Sequence, residues 1–141
     1  MTQIIGNNCV KMPEIGGNMN EKLQDKIFND FPDLYQEKDL PMTQSCMCWG
    51  FECGDGWFDI IYQLSKKISE IDPKCRAQQV KEKFGGLRFY ISGGNEKIDE
   101  LINLAEEESY KTCENCGSKE NVSQTDGWIK TLCENCRKEA A

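Results

Sequence analysis

The chain has 141 residues, a length that fits one ordinary domain with at most a small appendage. With 24 acidic and 17 basic residues, its net charge is -7. This charge disfavours nonspecific binding to nucleic acid, because that binding needs cations that neutralise phosphates. The chain contains nine cysteines and no histidine, so nucleophiles that use histidine as their base are excluded.

Residues 1–20 are rich in Asn, Gly and Met and predict an irregular N-terminal lead-in. They lack the basic region and the continuous apolar stretch of a signal peptide. No segment approaches the roughly 20 apolar residues that span a bilayer. A cytoplasmic location is therefore expected, where cysteines stay reduced and disulfides are rare.

Apolar residues recur at helical spacing in three segments. The first helix covers residues 21–31 and has Asn20 as its predicted N-cap. The second is predicted to start at Asp55, as N-cap, and to stop at Asp72-Pro73. The third follows Asn95 and buries a stripe of aliphatic residues. Between the first two, the sequence predicts a loop-like stretch.

A β-hairpin is predicted between the second and third helices. Gly85-Gly86 separates two runs of strand-forming residues, which is typical of a two-residue turn. That turn would pair Lys83 with Arg88 and Lys81 with Tyr90 on one face. The opposite face is apolar apart from Glu82, and its other members are Val80, Phe84, Leu87, Phe89 and Ile91.

The first of these faces, here the cationic face, comprises Lys81, Lys83, Arg88 and Tyr90. Arginine can hold a phosphate through two hydrogen bonds, lysine adds a point charge, and tyrosine can stack. These residues are therefore candidate ligands for a phosphate-bearing molecule. The alternative is a solvated strand face whose lysines protect a sheet edge.

The strongest motif is a pair of Cys-x-x-Cys turns, formed by Cys113 and Cys116 and by Cys133 and Cys136. Two such turns supply four thiolates, the tetrahedral set that zinc prefers. The sequence therefore predicts a C-terminal zinc ribbon with one structural zinc ion per chain. Four protein ligands close the site to substrate. Iron, or four free buried cysteines, are the alternatives.

The remaining cysteines are weaker signals. Cys46, Cys48 and Cys53 lie close together in the sequence, and Cys9 or Cys75 could add a fourth ligand for a second metal. The simpler interpretation is that these thiols are small buried hydrophobic groups.

Catalysis has little support from the sequence. Asp55, Asp59 and Glu82, with a nearby lysine, loosely resemble the acidic sites of metal-dependent nucleases or phosphohydrolases. Capping and dipole effects at a helix start explain the two aspartates equally well. Trp49, Trp57 and Trp128 are expected in the core, and an exposed one would indicate a contact surface.

Four segments carry a resemblance to a group of short proteins from bacteriophages and bacterial genomes. They are CGDGWFDI (53–60), QVKEKFGGLRFY (79–90), CENCG (113–117) and GWIKTLCENC (127–136). The chain resembles this group over about residues 46–137, with the segments in the same order. The resemblance implies a phage or prokaryotic setting in the cytoplasm, and no particular activity.

These observations together predict an α+β fold, in which helices pack on a small antiparallel hairpin sheet that a zinc ribbon follows. The predicted divisions are 1–20, the lead-in; 21–110, the α+β domain; and 111–141, the ribbon. The expected function is a non-catalytic binding protein, a phage or prokaryotic accessory factor for a host protein or a phosphate-bearing ligand. A nucleic-acid-binding zinc ribbon and a metal-dependent nuclease or phosphohydrolase are the alternatives.

Overall fold

The computed structural model describes residues 18–140, so most of the predicted lead-in, including Cys9, lies outside the described residues. The described part combines helices with two small sheets, which confirms the α+β class. The helices are α1 (Glu21–Asp30), α2 (Phe58–Ile71), α3 (Glu96–Ser109) and α4 (Glu134–Ala140). The strands are β1 (Phe51–Glu52), β2 (Arg76–Lys83), β3 (Gly86–Ser92), β4 (Val122–Gln124) and β5 (Thr131–Cys133).

The helix starts were predicted correctly in two cases out of three. Asn20 caps α1 and Asn95 caps α3, each accepting a hydrogen bond from a backbone N–H of the first turn, at 2.8 and 3.0 Å. The prediction for Asp55 was wrong, because α2 begins at Phe58 after a single 3₁₀ turn. The Asp55 carboxylate instead accepts the backbone N–H of Asn20 at 2.6 Å and so links the two helix starts.

The larger sheet has the order β1-β2-β3 and is mixed rather than purely antiparallel. Strands β2 and β3 form the predicted hairpin, but β1 runs parallel to β2, with Phe51 opposite Val80. Strand β1 falls in the stretch that the sequence predicted as a loop. Two residues are too few to show the alternation by which a strand is recognised.

The hairpin turn lies one residue earlier than predicted. Lys83 pairs with Gly86, so the two turn residues are Phe84 and Gly85, with φ angles of 54° and 83°. At Gly86 the ring and hydroxyl of Tyr110 occupy the space where a Cβ would stand. This contact accounts for the glycine within the strand, which the sequence predicted as a turn residue.

The corrected register keeps the cationic face together. Lys81 now pairs with Arg88, and Gln79 pairs with Tyr90. Arg88 and Tyr90 therefore each face a β2 residue two positions earlier than predicted. Because side chains alternate with period two, a shift of two leaves each of these side chains on its predicted face. All four residues of the cationic face therefore share one side of the hairpin. The prediction for Phe84 was wrong, since this turn residue is 64% exposed rather than part of the apolar face.

The core lies between the apolar side of the sheet and the helices α1, α2 and α3. Its largest fully buried side chains come from every part of the described chain up to α3; they include Ile27, Tyr35, Phe51, Trp57, Ile61, Ile68, Val80, Leu87 and Ile98. In the part of the chain that the structure describes, no helix is both long and apolar enough to cross a membrane.

The C-terminal part is a two-stranded antiparallel sheet, β4-β5, followed directly by α4. It buries only a small apolar cluster of its own, made mostly of cysteines. Such a small unit needs a metal or contacts with a neighbour to be stable. The predicted division at residue 110 stays a prediction, and the contacts across it are described below.

Candidate metal centre

The four predicted ligands, Cys113, Cys116, Cys133 and Cys136, come together. Their Sγ atoms all lie within 4.8 Å of one another, and those of Cys116 and Cys133 are 3.7 Å apart. The first pair lies in the turn of residues 113–117, here the knuckle. The second pair lies at the end of β5 and in α4. Within residues 18–140, this cysteine cluster is the one group of Cys, Asp, Glu or His side chains that could hold a metal ion.

The backbone around the cluster favours the thiolate form of Cys113, whereas the pKa values of the Cys116 and Cys136 thiols are raised. Burial raises the pKa of the Cys113 thiol, but backbone N–H groups of Cys116, Cys133 and Asn115 donate to its sulfur. The net result lowers the pKa of Cys113 to about 7. The Asn115 side chain also donates to Cys136 Sγ at 3.3 Å. Because a metal binds the thiolate and not the thiol, these donors suit a metal centre.

The knuckle packs directly on the loop of residues 53–57. The backbone N–H of Gly56 donates to the carbonyl of Glu114 at 2.7 Å, and that of Gly54 donates to the Glu114 carboxylate at 2.8 Å. A Cβ on either glycine would collide with the knuckle backbone. Only glycine therefore allows this approach, which accounts for the Gly-Asp-Gly sequence.

The same loop joins the knuckle to the core. The indole N–H of Trp57 donates to the carbonyl of Thr112 at 2.9 Å, one residue before the first thiolate. Trp57 is fully buried among the helices and the sheet. A buried side chain of the core therefore hydrogen-bonds the chain segment that leads into the metal centre.

A buried charge cluster connects the knuckle, the ribbon and the hairpin. The Lys130 ammonium lies 3.1 Å from the Glu114 carboxylate and 3.3 Å from that of Glu82. The three side chains are 15%, 3% and 13% exposed, respectively. Glu82 also accepts the backbone N–H of Gly85 at 2.7 Å and so caps the hairpin turn. The contacts of Glu82 with Lys130 and Gly85 explain why the apolar face contains this single acidic residue.

The protonation states in this charge cluster depend on one another. Burial raises the pKa of Glu114, and the Lys130 charge and the Gly54 N–H only partly oppose it, so the net shift is upward. Burial lowers the pKa of Lys130, but the carboxylates of Glu114 and Glu82 outweigh it and raise that pKa. One Glu114 carboxylate oxygen accepts no hydrogen bond from the described residues. The nearby charge of the Lys130 ammonium is therefore the main interaction that offsets the burial of this oxygen.

The ribbon strand β5 completes the contact with the hairpin. The buried Thr131 hydroxyl donates to the carbonyl of Gly85 at 2.6 Å, and the Thr131 carbonyl accepts the backbone N–H of Glu114 at 2.9 Å. One residue therefore links the hairpin turn and the knuckle. The four segments that carried the resemblance thus converge on a single interface around the cysteine cluster.

The cationic face is only partly free. Arg88 pairs with Glu106 of α3 at 2.8 Å, and both side chains are only about a quarter to a third exposed. Its assignment as a ligand-binding residue is therefore weakened, because its charge already has a partner. Among the described residues, Lys81 and Lys83 have no carboxylate partner, and Tyr90 is half-buried.

The cysteines proposed for a second metal do not form a cluster within residues 18–140. Cys48 is exposed, whereas Cys53 and Cys75 are buried. Cys46 is disulfide-bonded, so it offers no free thiolate, contrary to the expectation that disulfides are absent. Burial raises the pKa of Cys53 well above that of a free thiol. The simpler interpretation as buried small side chains therefore suits Cys53 and Cys75.

The candidate acidic site of a nuclease has no support among the described residues. Asp55 holds the start of α1, and Glu82 is paired with Lys130, so neither carboxylate is available for a shared metal ion. Of the three tryptophans, Trp57 is buried, Trp49 half-buried and Trp128 63% exposed. Of the three, only Trp57 belongs to the core, so the prediction of a core position was wrong for Trp49 and Trp128.

Sequence reasoning missed the residues that surround the cysteine cluster, chiefly Glu114 and Lys130. A usable signal existed for Glu82, an acidic residue on an otherwise apolar strand face. Another existed in Gly54 and Gly56, two glycines that flank a single residue before a buried tryptophan. Nothing in the sequence marks Lys130 as different from the other lysines.

Comparisons with protein-family models, with curated proteins and with solved structures found no match to this chain.

Proposed function

We propose that this is a non-catalytic binding protein, in which one structural zinc ion per chain holds the surface that binds a phosphate-bearing ligand. The resemblance implies a phage or prokaryotic setting, and the role that we propose there is that of an accessory factor. The observation that carries the proposal is the connection from the cysteine cluster to the hairpin turn through Glu114, Lys130 and Thr131.

Zinc fits the cysteine cluster better than magnesium or calcium does. Four thiolates about 2.3 Å from a zinc ion define a tetrahedron with edges of about 3.8 Å. The Cys116–Cys133 separation of 3.7 Å matches that edge. The donors are soft sulfur atoms throughout, a set that selects zinc or iron and disfavours magnesium or calcium. With four protein ligands the ion has no open position, so its role is structural.

The ligand-binding part of the proposal rests on Lys81 and Lys83. They lie on the same side of the hairpin as Tyr90, and within residues 18–140 neither forms a salt bridge, although Glu52 of β1 is the neighbour of Lys81 in the sheet. Unpaired ammonium groups on a rigid strand provide a site for phosphate oxygens.

Titration with inorganic tripolyphosphate tests this proposal. We expect the ligand to shift the backbone amide NMR signals of residues 79–90, and a Lys81→Ala/Lys83→Ala variant to lose those shifts. The matched control is Lys66→Ala/Lys67→Ala, which removes two exposed lysines from α2 and should retain them. Shifts that persist in the hairpin variant, or that spread evenly over every lysine, would refute the proposed site.

A further inference from the structure

Two large aromatic side chains are exposed near the end of the hairpin. Phe84 is 64% exposed and Trp128 is 63% exposed. The hairpin and the ribbon touch next to these residues, because a Cβ placed on Gly85 would lie 3.1 Å from Ile129 Cγ2. Phe84 precedes Gly85 and Trp128 precedes Ile129 in the chain. Each aromatic residue is therefore adjacent in the chain to a residue of this contact.

Phe84 adopts a backbone conformation that disfavours its own side chain. Its φ angle is 54°, in the left-handed region that bulky residues avoid and that Asn or Gly fills in turns of this kind. The other non-glycine residue with positive φ in the described chain is Asn121, a type that tolerates it. Because Phe84 is exposed, packing of its ring in the core does not compensate this strain. Strained residues of this kind concentrate at binding sites.

The surroundings of Phe84 are cationic. The Lys83 ammonium lies 5.6 Å from the centroid of its ring, and Lys81 projects from the same side of the hairpin two residues away. Protein-binding surfaces are usually depleted of lysine at their centre. An exposed aromatic ring with an ammonium group beside it, as at Phe84, instead matches the way proteins hold single strands, by stacking bases and neutralising phosphates.

We propose that the phosphate-bearing ligand is single-stranded nucleic acid, with bases stacked on Phe84 and Trp128 and phosphates on Lys81 and Lys83. This inference rests on the proposed function and names its ligand class. The net charge of -7 disfavours any nucleic-acid binding that depends on phosphate contacts alone, and most of all binding to a duplex, whose charge density is higher. The binding is therefore a short contact that depends on stacking.

Fluorescence anisotropy of labelled single-stranded dT12, at low salt, tests the inference. Loss of one stacked base lowers affinity about 5-fold or more, so Phe84→Asn and Trp128→Ser should each weaken binding by that factor. Leu104→Ser, which removes an exposed leucine from α3, is the control and should leave affinity unchanged. Two phosphate contacts predict a slope of about -1.4 for log K against log salt.

Phe84→Asn has a second readout that separates binding from folding. Asn-Gly is the preferred pair for this turn, so the variant should melt about 2–4 °C higher while it binds less tightly. Unchanged dT12 affinity in both aromatic variants would overturn the inference, as would equal affinity for duplex DNA. Binding of tripolyphosphate without binding of dT12 would refute only the ligand class. Binding of neither would refute the proposed function as well.

Discussion

Replacing Cys116 with serine is expected to unfold the ribbon and also to loosen the core around Trp57. Metal binding at sites of this type contributes about 10–16 kcal/mol in small peptides, comparable to the whole stability of a domain. Loss of one ligand therefore removes most of what holds the knuckle. The knuckle in turn accepts hydrogen bonds from Gly56 and, through Thr112, from the Trp57 indole.

Far-UV circular dichroism and tryptophan fluorescence, recorded during thermal unfolding, check this expectation. We expect the variant to show a lower melting temperature for the helical signal and a changed emission from Trp57. Cys48→Ser is the matched control, because Cys48 is an exposed thiol outside the cysteine cluster. An unchanged helical transition in Cys116→Ser would show that residues 21–110 fold independently, as the sequence predicts.

Replacing Lys130 with methionine is expected to cost about 3–5 kcal/mol of unfolding free energy, the typical result of breaking a buried ion pair on one side. The change leaves the carboxylates of Glu82 and Glu114 buried and without their cation. One Glu114 oxygen has no hydrogen bond from the described chain that could take over. The metal ligands themselves are not altered.

Chemical denaturation of the zinc-loaded protein measures this effect. Lys138→Met is the control, because Lys138 pairs with Glu134 on the surface of α4, where such a pair contributes about 0.3–0.5 kcal/mol. Adding Glu82→Gln and Glu114→Gln to Lys130→Met should restore part of the lost stability by removing the unpaired charges. A loss below about 1 kcal/mol for Lys130→Met would mean that the charge cluster does not hold the ribbon to the hairpin.

The parts of this fold that follow from local sequence were predictable. Asn20 and Asn95 precede amphipathic stretches and cap their helices as expected. The Cys-x-x-Cys spacing correctly predicted that the four cysteines of the cluster come together, because the geometry of each turn is local.

The parts that depend on contacts between distant residues were not predictable. Gly85-Gly86 has the sequence of a turn, yet Gly86 lies in the strand against Tyr110 and Phe84 lies in the turn instead. Asp55 has the position of a helix cap, but its partner is Asn20, 35 residues earlier. At Asp55 a tertiary contact outweighs a local capping preference of about 1 kcal/mol.

The interface around the cysteine cluster shows the same limit. The spacing of the cysteines alone indicates a self-contained ribbon. This spacing identifies the candidate metal ligands but not the distant residues that pack against them. The structure adds the glycines of residues 53–57, the charges of Glu82 and Lys130, and the hydroxyl of Thr131. These residues make the knuckle the point where ribbon, core and hairpin meet.

Native mass spectrometry of the full chain, freshly purified without chelator, tests the central claim most directly. We expect each chain to carry the added mass of one zinc ion, and Cys116→Ser to carry none, while Cys48→Ser keeps the metal. The four cysteines of the cluster provide the ligands for one zinc ion, so we expect one zinc ion per chain. A metal-free chain with an intact helical fold would contradict it, because the knuckle would then be held without the ion.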